Sequence, residues 1–249
     1  MKTIQSIDRV AMILEYVSKN QNCRLIDISK ALDIKNTTLH ALIGTLEHWG
    51  YINKNSNNQY SLGYKLFELG KLYESSLTLK DICHPYMNAL VESYGETSHL
   101  ALLAKNKIQY IHKVESTHAL RLTSKVGCID ELHHTASGKA MLANFDIETK
   151  QSLLSEAEFV PLTESTIIDQ NKLNEELELT KERGYALDLE EYEIGLNCIA
   201  VPIFSKENKP IASISVSMPC TRYQKNPIDK IINDLICYCD EISSKLKTL

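Results

Sequence analysis

One helix-spaced pattern constrains this chain more than any other feature. Leu39, Leu42, Ile43 and Leu46 recur at i, i+3, i+4 and i+7, the spacing of a helix that buries one stripe. Thr37 is its expected N-cap. The opposite face, Thr38, His40, Ala41, Gly44 and Thr45, is small and polar. Upstream, Ile26 to Leu32 reads as a short helix with Ile28, Ala31 and Leu32 inward, and Asp33-Ile34-Lys35-Asn36 as the turn between the helices. After Gly50, Tyr51–Lys54 and Gln59–Leu62 flank an Asn55-Ser56-Asn57-Asn58 tip and predict a hairpin. An earlier helix, Ser6 to Lys19, is expected to be capped by Ser6 and to bury Ile7, Val10, Ala11, Leu14 and Val17. Helix, turn, helix and hairpin outline a winged fold. Its unobstructed second helix suits a groove about 12 Å wide, the size of the DNA major groove.

Charge points the same way. Residues 1–65 hold eight basic and five acidic side chains, a net of +3, while the remaining 19 basic and 27 acidic residues carry −8. A basic head on an acidic body suits local contact with phosphates. Arg9 and Lys35 are the candidate phosphate contacts, and Thr38 and His40 the candidate readers of base edges. Asn36, Thr37, Ala41, Thr45 and Lys54 complete the candidate DNA-binding set. A trihelical protein-interaction module is the alternative that pattern and charge leave open.

The 249 residues suffice for one large or two small domains. No apolar run approaches the ~20 residues of a membrane span, and the start has no signal-peptide character. Seven scattered cysteines without a Cys-x-x-Cys argue for reduced thiols in a cytoplasmic protein, without a disulfide framework or structural zinc.

From Gly63 to about Ser76, Leu66, Leu69, Leu72 and Tyr73 form an apolar stripe on a further helix, and a second subunit is its natural partner. Pro85 is expected to open the next helix, through Tyr94. Strands are expected at Ser98–Ala104, Ile108–Val114, Ala119–Val126, Tyr185–Leu189, Asn197–Phe204 and Ile211–Met218. Helices are expected at Ala136–Phe145, Glu148–Glu156, Asn171–Arg183 and Gln224–Leu246. This mixture indicates an α+β domain around an antiparallel sheet. The expected division is 1–63, a linking and dimerising helix over 64–80, and 81–249.

Two late strands have an unusual face. Ser213, Ser215 and Ser217 alternate with Ala212, Ile214, Val216 and Met218, while Leu196, Cys198 and Ala200 alternate with Asn197, Ile199, Val201 and Ile203. Small side chains with hydroxyls and a thiol suit a compact polar pocket, or a face beneath a closely packed helix. Thr135-Ala136-Ser137-Gly138-Lys139-Ala140 opens a helix whose first amides could meet an anion. No catalytic set assembles: His133-His134, Cys198 and Glu190-Glu191 lack diagnostic spacing, and neither a metal nor a cofactor is expected.

Taken in order, these segments resemble the IclR family of bacterial transcriptional regulators. The resemblance rests on Ser6, Arg9 and Ile13-Leu14, then Thr38, His40, Leu42, Thr45-Leu46-Glu47 and Gly50-Tyr51. It continues through Tyr60, Leu62-Gly63, Lys65, Glu68-Leu69-Gly70, Gly95-Glu96-Thr97, His99-Leu100 and Thr135–Ala140. Its most specific block runs from Gly184-Tyr185 through Asp188, Glu190-Glu191, Gly195-Leu196, Cys198 and Ala200 to Pro202. The resemblance implies a winged helix-turn-helix joined by a helix to a GAF-like effector domain. It further implies a homodimer or dimer of dimers on a palindromic double-stranded operator, usually repressing, and answering a small carboxylate or aromatic catabolite. Its effector contacts carry over to Leu122, Ala136, Ser137, Asp188, Leu196, Cys198, Ser215 and Ser217, with Gly138 at the same helix start. Ala41 and Asn36 stand where the family usually has basic residues, and His134 where it has a small one. A cysteine-dependent GAF-like enzyme and a metal-responsive regulator are the competing readings.

Overall fold

The computed structural model describes residues 3–75, 78–119 and 124–248. The chain separates into two compact units, Met1–Thr78 and Leu79–Leu249.

In the first unit, α1 (Gln5–Lys19), α2 (Leu25–Leu32) and α3 (Asn36–His48) pack beside a sheet of order β1-β3-β2, formed by Cys23–Arg24, Gln59–Leu62 and Ile52–Lys54. Ile13, Val17, Ile28, Leu39, Ile43, Leu46, Ile52 and Tyr60 form its core. The wing forms as expected. Asn55 Oδ1 accepts from the Asn57 and Gln59 amides at 2.9 and 3.0 Å, and Asn58 takes φ of +58°, which asparagine tolerates. The two expected caps do not form. Helix α1 begins at Gln5 and α3 at Asn36, so Ser6 and Thr37 lie inside their first turns. At α3 the start is set by burial instead. Ile34 and Leu39 occupy the two positions of a hydrophobic staple and are 3% and 0% exposed. In α1, Ile7 is 62% exposed and Ile13 is buried, which rotates the buried stripe from the expected one. Helix α4 (Tyr64–Ser75) follows.

In the second unit, α5 (Thr78–Tyr94) runs through Pro85. The expected start at Pro85 is wrong because burial of Cys83 and Met87 on either side holds the helix together despite the lost amide. Then come β4 (Thr97–Ala104), β5 (Lys107–Val114), β6 (Ile129–Glu131), a single 3-10 turn (Leu132–His134), α6 (Ala136–Leu142), α7 (Ile147–Leu154) and α8 (Gln170–Arg183). Strands β7 (Ala186–Leu189), β8 (Leu196–Phe204) and β9 (Pro210–Pro219) precede α9 (Cys220–Tyr223) and α10 (Ile228–Thr248). The strand expected over 119–126 falls partly outside the described residues. Its described ends are bend and turn, and β6 lies just beyond it.

The six strands form one antiparallel sheet of order β6-β5-β4-β9-β8-β7. Period-two alternation sorts its faces. Ile199, Val201, Ile203, Ala212, Ile214 and Val216 pack with Leu90 of α5 and Ile231, Leu235 and Ile242 of α10. Ala186, Ala200 and Cys198 face the other way, onto Ala136 and Ala140 of α6. The architecture is α+β, as expected.

Candidate functional site

Helix α3 turns Leu39, Ile43 and Leu46 into the core and leaves Thr37, His40, Ala41, Gly44 and Thr45 exposed, with Thr38 half-buried. Nothing lies within 4 Å of a Cβ built on Gly44, so this face is open. Lys35, Asn36 and Lys54 are exposed and Arg9 is half-buried. Thr45 Oγ1 donates to the Ala41 carbonyl at 2.9 Å and so is turned along the helix.

In the second unit, the register of the sheet aligns side chains that are far apart in sequence. Asp188 pairs with Cys198, and Cys198 with Ser217. In the next row Ala186 pairs with Ala200, Ala200 with Ser215, and Ser215 with His99. Helix α6 lies over these rows. Thr135 caps it, its Oγ1 accepting from the Gly138 amide at 3.0 Å. Between helix, sheet and loops is a cavity of about 330 Å³ lined by Ala136, Ser137, Asp188, Leu196, Cys198, Ser215 and Ser217. Of the expected effector contacts, Gly138 does not line it, and Leu122 lies outside the described residues. Gly138 is instead a packing position: a Cβ there would sit 2.1 Å from the Leu132 carbonyl oxygen.

The cavity also takes in His99, Tyr110, Asp130 and Tyr192, and on its outer side Lys125, Cys128 and Glu193. Sequence reading missed these because they come from other strands and loops. His99 is brought in by sheet register, which sets it across from Ser215. His99 Nε2 and Ser124 Oγ lie 2.7 Å apart, and burial with the nearby Lys113 pushes the imidazole down to about 3. The Tyr192 hydroxyl donates to Asp130 at 3.0 Å.

Asp188 is the electrostatic centre. It is 2% exposed, and burial followed by the charge of Glu191 pushes its carboxyl up to about 7. Its Oδ1 accepts from the Glu191 and Tyr192 amides at 2.8 and 3.2 Å, which with Lys139 opposes the rise. Lys139 is fully buried and donates to both carboxylate oxygens of Glu191, at 2.5 and 2.6 Å. Burial, then Asp188, holds the Cys198 thiol well above its ordinary range. The His133 and His134 rings meet at 4.0 Å with a 57° tilt, and His133 stacks on Phe159 at 4.2 Å. Among the described residues no three side chains of His, Cys, Asp or Glu are grouped to hold a metal ion.

Residues 6–56 match the IclR helix-turn-helix domain, and residues 71–244 match the bacterial transcriptional regulator IclR C-terminal domain. The chain belongs to the IclR family. This family member is 34% identical over 224 residues to the Escherichia coli (strain K12) HTH-type transcriptional regulator XynR, covering 89% of each chain. The transcriptional repressor IclR of the same strain is 30% identical over 223 residues, 88% of this chain and 81% of its own. The crystal structure of the Thermotoga maritima IclR aligns with a TM-score of 0.79 at 30% identity, over 98% of this chain and all of the other. As an IclR-family protein the chain is a DNA-binding transcriptional regulator with an effector-binding C-terminal domain. Helix α3 lies in the portion matched by the first domain, and the cavity in the portion matched by the second. No helix among the described residues is long and apolar enough to cross a membrane.

Proposed function

We propose that this regulator represses transcription by binding a roughly palindromic operator as a homodimer or dimer of dimers, and that a small hydroxylated carboxylate in the cavity controls it. The carrying observation is the convergence of Ser137, Asp188, Cys198, Ser215 and Ser217 on one enclosed space within the IclR C-terminal portion. Serine hydroxyls supply neutral hydrogen bonds, Leu196 and Ala136 an apolar wall, and Asp188 an acceptor for a ligand hydroxyl. Arg9, Lys35 and Lys54 are read as phosphate contacts. Thr38 and His40 meet base edges, flanked by Asn36, Thr37, Ala41 and Thr45. On α4, Tyr64, Phe67 and Leu69 are 69%, 56% and 41% exposed, an apolar surface suited to a second copy. The cavity binds and does not catalyse in this reading, since a thiol held protonated is a poor nucleophile. The protein works in the cytoplasm, where its operator is.

A thermal-shift screen of metabolites tests the cavity. A true effector at 100 times its Kd stabilises the fold by about 2.7 kcal/mol. Ser217→Trp, which fills the space, is expected to abolish that gain, and the same compound is expected to release operator DNA. Stabilisation undiminished in Ser217→Trp would place the effector elsewhere.

A further inference from the structure

Among the described residues, the lining of the cavity carries more acidic than basic side chains. The buried lysines beside it among those residues are already engaged: Lys139 donates to both oxygens of Glu191 at 2.5 and 2.6 Å, and Lys113 lies 3.0 Å from Glu115 and donates to the Ser124 carbonyl at 3.0 Å. The acids that line the space are Asp188, Asp130 and Glu193, against the exposed Lys125. We infer that an anionic ligand enters this cavity only together with a proton, which Asp188 takes from solution and shares with the ligand. This rests on reading the cavity as the effector site.

The groups facing Asp188 come from every surrounding element. Glu191 and Tyr192 follow it in the chain, Lys139 approaches from α6, Cys198 and Ser217 are its neighbours on β8 and β9, and Tyr110 and Asp130 reach in from β5 and β6. Cys220 of α9 also feels its charge. Most of them keep their protons. Burial raises the Tyr110 hydroxyl and the Cys198 thiol, and burial with Asp130 raises the Tyr192 hydroxyl. His99 stays neutral because burial and Lys113 push it down to about 3. Asp130, though raised by burial, already accepts from Tyr192. Asp188 is therefore the group placed to change charge near neutral pH. One of its oxygens is fixed by two backbone amides, at 2.8 and 3.2 Å. Ionised, it repels an incoming carboxylate across a space of low dielectric. Protonated, it donates an O–H to that carboxylate, a charge-assisted bond stronger than a neutral one. Each anion bound above the Asp188 transition thus removes one proton from solution.

Calorimetric titration of the full chain with acetate, lactate, pyruvate and benzoate, and with the corresponding amides, tests this. For the carboxylates, affinity is expected to weaken about tenfold per pH unit above about pH 7.5 and to level off below about pH 6. Binding enthalpy in phosphate and Tris buffers at about pH 8 should report uptake approaching one proton per ligand. This readout needs no variant and so does not depend on one folding. Asp188→Asn should flatten the pH dependence, Asp130→Asn should keep it, and the amides should show none. Carboxylate affinity independent of pH, no proton uptake at about pH 8, or no carboxylate binding at about pH 5.5 would each overturn the inference. In those cases amide binding that is blocked by Ser217→Trp would leave the cavity reading standing. Carboxylate or amide binding that ignores Ser217→Trp, or no binding by either series, would remove the cavity reading as well.

Discussion

Asp188 is a buried carboxyl of the second unit whose ionisation moves toward neutral pH on folding. Asp188 ionises near 7 when folded and near 3.8 when free, so the folded chain holds more protons between those values. Stability from this group is therefore full below the lower value and falls as pH rises toward the higher one, at up to about 1.4 kcal/mol per pH unit. Asp188→Asn keeps an acceptor for the two amides and removes the ionisation. Denaturant unfolding of both proteins at acid and at mildly alkaline pH should show the variant gaining on the wild type as pH rises. Parallel curves would contradict this. Gly138 is the second decisive residue. An alanine there places its Cβ 2.1 Å from the Leu132 carbonyl oxygen, a backbone atom that moves only with the turn before α6. We expect Gly138→Ala to cost about 1–3 kcal/mol by urea unfolding, and a neutral change would refute the packing role.

Among elements, α3 is a rigid presenter. Its buried residues Leu39, Ile43 and Leu46 fix its rotation, and that rotation turns His40, Ala41 and Thr45 outward. The roles of the outward residues separate by experiment. Lys35→Ala should weaken binding to all duplexes alike and flatten the dependence of log affinity on log salt by about one unit. His40→Ala should change which sequences are preferred. Selection of random duplexes by each variant, with affinities at several salt concentrations, checks both; uniform loss without changed preference in the two variants would undo the assignment. On the other unit, α6 closes over the small face of β8 and β9 because Ala136 and Ala140 meet Ala200 and Cys198 with little side-chain bulk between them. The same small residues leave space at the end of that face, where Ser217 and Asp188 lie.

At the scale of the molecule, a regulator needs its operator-binding part matched to the symmetry of DNA. On the proposed pairing of two copies through α4, half-sites should fall about one helical turn, or a multiple, apart. Replacing Phe67 and Leu69 by aspartate should shift sedimentation toward monomer and erase the symmetric footprint. A symmetric footprint from a chain that sediments as monomer would assign pairing to another surface. Residues 1–65 carry a net +3 and the remainder of the chain −8, a distribution that favours phosphate contact at the head.

Patterns local in sequence were legible without coordinates. The stripe of α3, the Asn-rich wing, the alternation of β8 and β9 and the start of α6 each depend on residues within a few positions of one another, where spacing alone determines which face is buried. Helix starts were less legible. The α3 boundary depends on burial of Ile34 with Leu39, and Pro85 is tolerated because Cys83 and Met87 reach a core built from distant strands. The cavity divides in the same way. Ser215, Ser217, Cys198 and Asp188 could be named from one strand at a time and from the family resemblance, but His99, Tyr110, Asp130 and Tyr192 join them only through sheet register and loop path. The charge of Asp188 is likewise a tertiary property. It depends on loss of water and on the charge of Glu191, opposed by Lys139, and the burial and the Lys139 contact arise only when α6 lies on the sheet.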